Sequence, residues 1–414
     1  MALSFKILQN RNFRLIMMTR MFGALALQAQ AVIVGWQIYS ITKNPLMLGL
    51  VGLTEAVPAI TCALFAGYIV DHSQPKKVYK WCQGIQFLNT CILLLLAGGY
   101  ITIGFNVLPF MFAGVFISGL ARSFYMPASF TLLSQIVKKS DMPAASAWMS
   151  SSFQAAAIGG PALAGLVYAG FGASIAWFLP AFFMAACFLL IFAIKVDPIQ
   201  RETVNRMPAV KSIREGWAFI LNNPVLLSVM ALDMFAVLFG GAVAMLPAFA
   251  DQVLKSGAEG LGILRAAPAI GSVSMALFLA VSPMKIISAK RLLLAVTGFG
   301  ACMVGFGLSQ TFIVAAIFLA MSGAFDSVSM VIRGTLMQLL TPDTMRGRVS
   351  SVNSMFIISS NEIGAFESGL AAKIFGLVPS IVFGGFGTLA VAGTTALLSP
   401  KFRKMEVRPD EEKI

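Results

Sequence analysis

The sequence has few charged residues. Only 11% of its 414 residues are Asp, Glu, Lys or Arg, whereas a soluble domain needs about a quarter of its residues charged to cover its surface. Apolar residues make up 58% of the chain, and the mean hydropathy is +0.85. This many apolar residues cannot all be buried in a globule, so much of the surface must face lipid. The composition excludes soluble enzymes, disordered regulators and secreted disulfide scaffolds, and it indicates an integral membrane protein.

Histidine is almost absent, and cysteine is scattered. His72 is the single histidine, which leaves little room for a His-based metal site or a Ser–His–Asp triad. The five cysteines form no C-x-x-C pair, which disfavours a disulfide framework or a thiolate metal site. The glycine-rich run at 384–387 lies in an apolar segment and lacks the lysine of a phosphate-binding loop. We therefore expect no metal, no cofactor and no enzymatic activity.

Twelve apolar segments are long enough to cross a bilayer, which takes about 20 residues as a helix. The first six are 14–40, 46–70, 78–102, 107–136, 143–170 and 173–195, and the last six are 223–250, 258–282, 290–309, 312–340, 347–376 and 378–399. Charged residues and bulky apolar residues alternate over 212–221, as in a short helix at the membrane surface. We predict an all-α membrane protein with an N-terminal six-helix bundle (1–195), a cytoplasmic linker with a surface helix (196–222), a C-terminal six-helix bundle (223–399) and a cytoplasmic tail (400–414).

Basic residues are concentrated in alternate loops. If the N-terminus is cytoplasmic, the inner segments carry 23 Lys and Arg residues and the outer segments carry 3. Cytoplasmic loops of membrane proteins show this excess. We therefore expect both termini and the linker to be cytoplasmic. The net charge of +13 needs no nucleic-acid partner to explain it.

Charged residues inside the apolar segments are rare, and such residues usually face a water-filled cavity or a partner. They are Arg20, Glu55, Arg122, Asp233, Arg265, Asp326, Arg333, Glu362 and Glu367. Segments 3, 6, 9 and 12 hold no charged residue in their interiors, and we predict that they are purely apolar. This pattern predicts three-helix repeats whose third helix faces lipid, while the other two enclose a polar path. Two six-helix halves of 3+3 repeats form a known transporter architecture.

Several motifs resemble the major facilitator superfamily. The segment GYIVDHSQPKK at 67–77 is similar to its G-x-x-x-D-(R/K)-x-G-(R/K)-(R/K) loop, departing at His72 and Pro75. GGPALAG at 159–165 resembles the G-P-x-x-G-G motif of the exporting, antiporter branches, departing at Ala164. The segments EGWAFILNNP (215–224), LPAFAD (246–251), GLGILRAAP (260–268) and TPDTMRGRV (341–349) resemble one subfamily. That subfamily includes siderophore (enterobactin) exporters and macrolide efflux pumps.

The resemblance implies two conformational devices. One is a cytoplasmic gate in which the Asp71 carboxylate meets the start of the eleventh span, where a helix dipole favours an anion. Its residues are Gly67, Asp71, Lys76, Lys77, Arg346 and Arg348; the alternative for Asp71 is a solvated loop acid. The other is a seam in the fifth span, where glycines allow close helix approach and a proline bends the helix. Its residues are Gly159, Gly160, Pro161 and Gly165; ordinary small-residue packing is the alternative.

Each charge in the spans has a functional and a structural interpretation. Arg122 either binds an anionic substrate or forms an ion pair, with Glu55 among the candidate partners. Arg20 either contacts substrate or extends its side chain to the interface. Asp233 is the first choice for a proton carrier, because burial disfavours the charged form of a carboxylate; a structural salt bridge is the alternative. Asp326 and Arg333 are seven residues apart, and we expect them to engage different partners.

Together these features predict a secondary transporter that works by alternating access. The expected cargo is a small amphipathic or anionic molecule, such as a siderophore or a drug-like compound, exported in exchange for protons. An importer or uniporter of a metal chelate or nutrient, with the same fold, is the alternative. The substrate and proton path would involve Arg20, Glu55, Arg122, Asp233, Arg265, Asp326, Arg333 and Glu362. We expect a monomer in the cell membrane, which is the inner membrane in a Gram-negative source.

Overall fold

The protein is almost entirely helical. The computed structural model describes residues 5–101, 106–138, 141–196, 209–282, 284, 286–342, 345–403 and 405–407. The first helices are α1 (Arg11–Thr42), α2 (Pro45–His72), α3 (Pro75–Ala97), α4 (Leu108–Ile136), α5 (Met142–Ala176) and α6 (Phe178–Ala193). They are followed by α7 (Ala209–Leu221), α8 (Pro224–Phe239), α9 (Leu246–Gln252), α10 (Gly257–Val281), α11 (Ala289–Leu308), α12 (Phe312–Leu340), α13 (Arg346–Phe375), α14 (Leu377–Leu398) and α15 (Pro400–Arg403).

The helix ends follow local sequence signals. The Asn10 side chain accepts hydrogen bonds from the first N–H groups of α1, at 3.0 and 3.2 Å, which satisfies donors that have no partner within the helix. Asn223 does the same for α8, which starts with a proline. Gly172 has a φ of 77° and breaks the helical geometry near the end of α5. Glycine tolerates this conformation without steric cost, so the chain bends between the predicted fifth and sixth segments.

Nine helical segments among the described residues are long and apolar enough to cross a membrane. They are α1, α2, α4, α5, α10, α11, α12, α14 and the combined segment Pro224–Gln252, which contains α8, a short 3-10 turn and α9. The other three predicted segments fall on α3, α6 and α13. The helix α6 is apolar but has only 16 residues. The helices α3 and α13 carry several polar side chains each, which lower their hydropathy.

The prediction that α3 is purely apolar is wrong. One face of this helix carries four polar side chains, all of which are buried in the protein: Gln83, Gln86, Asn89 and Thr90. The opposite face exposes large apolar residues, including Trp81, Leu88 and Leu95. An apolar outer face suits contact with lipid, whereas the buried polar groups must find hydrogen-bond partners within the protein. The absence of charge in this segment therefore did not mean the absence of polarity.

Ser118 of α4 is the centre of a buried hydrogen-bond network. Its hydroxyl donates to the Gln86 side chain at 2.9 Å and accepts from Gln30 and Asn89 at 3.4 Å. Thr90 donates to the Gln30 side chain at 2.9 Å. The network therefore connects α1, α3 and α4. It explains why these amide side chains can lie in the interior of a membrane protein.

Replacing Ser118 by alanine is expected to destabilise the protein. The change removes one hydrogen-bond partner from each of the buried Gln30 and Gln86 side chains, and one of the two acceptors of the Asn89 amide nitrogen. A buried polar group that loses its partner costs about 1–3 kcal/mol. Thermal unfolding of the purified variant in detergent should show a lower melting temperature. Ser134→Ala is a matched control, because Ser134 is exposed and donates only to a carbonyl of its own helix at 2.8 Å. Equal melting temperatures for the two variants would show that the network contributes no stability.

Two compact units divide the chain. The first comprises Met1–Lys43, Thr54–Ala209 and Ser256–Ala266, and the second comprises Asn44–Leu53, Val210–Lys255 and Ala267–Ile414. The first ten residues of this second unit belong to α2, and the last segment of the first unit belongs to α10. Each unit has its own apolar core. Phe13, Tyr79 and Leu132 are buried in the first, whereas Val229, Leu292 and Ile332 are buried in the second.

The first part of the predicted tail is anchored to the second unit. Strand β2 (Glu406–Val407) pairs antiparallel with β1 (Ile287–Ser288), and the Phe402 side chain is buried in the core of that unit. The predicted tail thus includes ordered structure up to residue 407. Residue 404 and residues 408–414 lie outside the described part of the chain, as do linker residues 197–208.

Candidate functional site

Two acids and one arginine meet in the second unit. Asp233 lies in α8, and Asp326 and Arg333 lie two turns apart in α12. The Arg333 guanidinium forms an ion pair with Asp233 through Nη1, and its Nη2 lies 3.7 Å from Asp326 Oδ1. The expectation that Asp326 and Arg333 engage different partners is therefore wrong. The long arginine side chain spans the two turns and reaches both carboxylates.

The two acids differ in their surroundings. The Asp233 side chain is 9% exposed, whereas that of Asp326 is 41% exposed. In the part of the chain that the structure describes, the buried Nε of Arg333 has no hydrogen-bond partner. A small pocket, about large enough for one water molecule, is lined by both acids and by Ser329, Phe299 and other apolar side chains. The arrangement places an accessible carboxylate next to a buried one that shares the same arginine.

The charges of this triad do not balance. With all three groups ionised, two carboxylates face one guanidinium, and the net charge is −1. Binding of a single proton makes the triad neutral. Because a low-dielectric environment penalises net charge, the triad has the composition needed to bind and release one proton. We call Asp233, Asp326 and Arg333 the acidic triad below.

A second ion pair lies in the first unit. Arg122 Nη1 of α4 is 2.8 Å from Glu55 Oε1 of α2. Gly119 allows this contact, because a Cβ there would lie 2.4 Å from the Glu55 carbonyl oxygen. The structure thus forms the ion pair that was the structural alternative for Arg122. The Arg122 side chain is nevertheless 50% exposed. Sequence inspection had not singled out Gly119.

The remaining charged residues of the predicted path belong to α1, α10 and α13. Arg20 of α1 is half-buried and contacts Tyr125, whose ring stacks on Tyr79 at 5.5 Å. Arg265 of α10 belongs to the first unit and is half-buried. In the second unit, the Glu362 carboxylate of α13 lies beside Gly52 of α2.

Part of the predicted cytoplasmic gate lies outside the described side chains. Gly67 and Asp71 belong to α2, and Arg346 begins α13, but the structure does not describe these side chains. Lys77 is exposed, and Lys76 Nζ donates to the Ile194 carbonyl at the end of α6, at 2.5 Å. Arg348 Nη1 lies 2.5 Å from Glu215 Oε2 of α7. The gate itself stays a prediction.

The predicted seam contacts two helices within the first unit. A Cβ on Gly160 would lie 2.8 Å from the Gln28 side chain of α1, so α5 packs closely there. A Cβ on Gly165 would lie 2.7 Å from Gly262 Cα of α10, and a Cβ on Gly262 would lie 2.6 Å from the Pro161 carbonyl oxygen. Gly159 has ordinary packing, with its nearest neighbour at 3.6 Å. Gly262 is thus the partner of the seam, which the sequence pattern did not identify.

Long apolar helices with ion pairs between them indicate a multi-pass membrane protein, and comparison with known proteins identifies its class as a membrane transporter. The profile of the family described as "Transmembrane secretion effector" matches residues 2–412. The chain belongs to this family of major facilitator superfamily transporters, and it is not an enzyme.

Two of the similar proteins are enterobactin exporters. The chain is 23% identical to the enterobactin exporter EntS of Escherichia coli O1:K1 over 406 residues, which covers 96% of this chain and 94% of that protein. It is also 23% identical to EntS of Shigella boydii serotype 4 (strain Sb227) over 410 residues, with the same coverage. Nearly the whole chain thus aligns with an enterobactin exporter, although most residues differ.

Solved transporters share the fold at lower identity. A bacterial homologue of the iron transporter ferroportin, in an inward-facing state, superposes with a TM-score of 0.70 at 17% identity, covering 95% of this chain and 99% of that one. A POT family transporter in complex with 5-aminolevulinic acid has a TM-score of 0.73 at 10% identity, covering 95% of this chain and 97% of that one. These structures establish a transporter fold and say nothing about the cargo of this protein.

Proposed function

We propose that the protein is an exporter that moves a small amphipathic or anionic molecule, such as a siderophore or a drug-like compound, out of the cytoplasm in exchange for protons. The observation that carries this proposal is the acidic triad, because two carboxylates that share one arginine can bind a proton reversibly. The relatives named as enterobactin exporters support the direction and the substrate class.

The proposal includes a topology of twelve spans in two halves of 3+3 repeats, with both termini in the cytoplasm. The helices on all twelve predicted segments support it, as does the excess of basic residues in the segments assigned to the inside. Reporter fusions to the two termini, assayed for cytoplasmic location, test the orientation. An external location of either terminus would contradict it.

The two ion pairs have different roles in this proposal. The acidic triad binds the proton. The exposed Arg122 guanidinium, held by Glu55 at 2.8 Å, binds an anionic group of the cargo. Arginine suits this role because it stays charged and presents several donors in one plane. Catecholate, carboxylate and phenolate groups are all compatible with such a contact. The two functions thus reside on different helices, α8 and α12 for protons and α4 for cargo.

Alternating access is the proposed mechanism. It requires helices that approach closely enough to seal one side and then separate. The glycine contact between α5 and α10 allows such a close approach, because Gly165 and Gly262 bring the two backbones together without side chains between them. A similar contact joins Gly49 of α2 to Gly369 of α13 within the second unit, where a Cβ on Gly369 would lie 2.8 Å from Gly49 Cα.

The test is transport of enterobactin into proteoliposomes that contain the purified protein. Molecules with their cytoplasmic face outward should accumulate enterobactin when the lumen is acidic. One pH unit corresponds to about 1.4 kcal/mol per proton, so a one-proton exchange supports up to about tenfold accumulation. An ionophore that collapses the pH gradient should abolish the accumulation. Flux that ignores the pH gradient would contradict proton coupling, and accumulation only in the opposite direction would identify an importer.

A further inference from the structure

The linker helix α7 is docked on the start of α13. Both helices belong to the second unit. Glu215 Oε2 lies 2.5 Å from Arg348 Nη1, within charge-assisted hydrogen-bond distance. The same Arg348 Nη1 also contacts the Met345 sulfur at 3.2 Å. Glu215 therefore provides a carboxylate partner for an arginine that sequence analysis assigned to the gate.

Gly216 brings the two helix backbones together at this point. A Cβ on Gly216 would lie 2.9 Å from the Arg348 carbonyl oxygen and 3.1 Å from its carbon. Real Cβ atoms essentially never come closer than 3.0 Å to another atom, and both neighbouring atoms belong to the backbone and cannot rotate away. Glycine thus permits the close approach that places the adjacent Glu215 against the arginine. The paired residues Glu215 and Gly216 act as one docking element.

The apolar face of α7 completes the contact. The Trp217 ring lies 5.1 Å from that of Phe356. Ile220 is fully buried in a cluster with Val349 and Val352 of α13, and the cluster also includes Leu226 and Met230 of α8. Burial of these side chains against protein removes much of the apolar face of α7 from a membrane surface. The helix therefore packs as part of the second unit.

We infer that Glu215 is a positioning residue of the transport machinery. It acts through Arg348 to fix the cytoplasmic start of α13, the helix that carries Glu362. Only Asn222 and Asn223 separate α7 from α8, which carries Asp233, so the docked linker also ties the starts of α8 and α13 to each other. The role in transport rests on the function proposed above, whereas the docking itself does not.

The contact between α7 and α13 explains two of the subfamily motifs together. Sequence comparison singled out EGWAFILNNP at 215–224 and TPDTMRGRV at 341–349 separately. The structure brings Glu215, Gly216 and Trp217 of the first motif against Arg348 and Val349 of the second, and against Phe356 just beyond it. An ion pair, a backbone approach and an apolar cluster thus explain why the two motifs contain these residue types.

The experiment compares Glu215→Gln with the wild-type protein in two assays. Hydrogen–deuterium exchange of the purified protein should show faster exchange over the first turns of α13, because the anchor is lost. Enterobactin transport in proteoliposomes should show a maximal rate lowered about fivefold, with an unchanged half-saturating concentration. Arg214→Gln is the matched control, since Arg214 is exposed on the same helix, and it should change neither measurement.

The charge-swapped double variant Glu215→Arg with Arg348→Glu decides between positioning and simple packing. It should recover the slow exchange over the first turns of α13, whereas either single reversal should not. Unchanged exchange and rate in Glu215→Gln, or no recovery in the double variant, would overturn the inference. If the wild-type protein moves no enterobactin, the proposed function fails, and the exchange assay with its charge-swap arm still decides whether Glu215 anchors α13.

Discussion

Asp233→Asn is expected to abolish proton-driven accumulation of enterobactin. The variant should still exchange enterobactin across the membrane when no pH gradient is present. The substitution keeps the size of the side chain and removes its charge. The triad then holds one carboxylate and one guanidinium, which is the same net charge as the protonated wild-type triad. The remaining Asp326 carboxylate is then balanced by Arg333, so the net charge that favours binding of a proton is absent, and the accumulation of up to about tenfold per pH unit should disappear.

Substitution of the triad arginine should have a different effect from substitution of Asp233. Arg333→Gln leaves Asp233 buried without a counter-charge, and removing one partner of a buried ion pair costs about 3–5 kcal/mol. We expect this variant to lose both accumulation and exchange, and to unfold at a lower temperature. In Asp233→Asn, by contrast, Arg333 retains Asp326 at 3.7 Å, so the fold should persist. The comparison separates a proton-binding role from a structural one.

Two assays on the same proteoliposomes check these expectations: accumulation under an acidic lumen, and exchange of labelled for unlabelled enterobactin at equal pH. Glu259→Gln is a suitable control, because Glu259 is an exposed carboxylate in the first turn of α10. Asp326→Asn, measured in parallel, shows whether the more accessible acid contributes equally. Wild-type accumulation by Asp233→Asn would assign Asp233 to the structural ion pair alone.

Most of the helical architecture could be predicted from the sequence. A long apolar segment indicates a membrane-spanning helix, because in lipid the backbone N–H and C=O groups must form their hydrogen bonds within the segment. The break at Gly172 falls between the predicted fifth and sixth segments. The interruption of the seventh segment after Phe239 by a 3-10 turn was not predictable from hydropathy, since all of its residues are apolar or small.

The residues of the candidate site were predictable, but their pairing was not. Charge in an apolar segment identified Asp233, Asp326 and Arg333, because such charges are costly in lipid. Their meeting depends on how α8 packs against α12, which no local pattern encodes. Sequence spacing even argued against the contact between Asp326 and Arg333, because two turns separate them. The length of the arginine side chain decided the outcome.

The residues that sequence analysis missed were mainly the uncharged polar residues that form hydrogen bonds between helices. The network around Ser118 consists of Gln, Asn, Thr and Ser residues, which a count of charged residues does not detect. Gly262 was also missed as the partner of Gly165, because a glycine in an apolar segment has many possible uses. In both cases the missing information was which helices are neighbours. Three-dimensional packing supplied it.

Gly165→Ala is expected to lower the transport rate by about tenfold or more. The new Cβ would lie 2.7 Å from the Ala258 carbonyl oxygen and from Gly262 Cα, both of which are backbone atoms. Overpacking of this kind costs about 1–3 kcal/mol, which corresponds to about 5- to 150-fold in a conformational equilibrium. The penalty applies only while α5 and α10 are in contact, so the substitution should depopulate that conformation and stall the cycle.

Gly170→Ala provides the control for this prediction, because Gly170 lies in the same helix and a Cβ there meets no atom within 4 Å. It should transport at the wild-type rate. Gly262→Ala should reproduce the defect from the α10 side, since its Cβ would lie 2.6 Å from the Pro161 carbonyl oxygen. The enterobactin flux of the three variants, at equal amounts of reconstituted protein, measures the effect. Wild-type flux in Gly165→Ala would show that the glycine contact is ordinary packing and that alternating access does not depend on it.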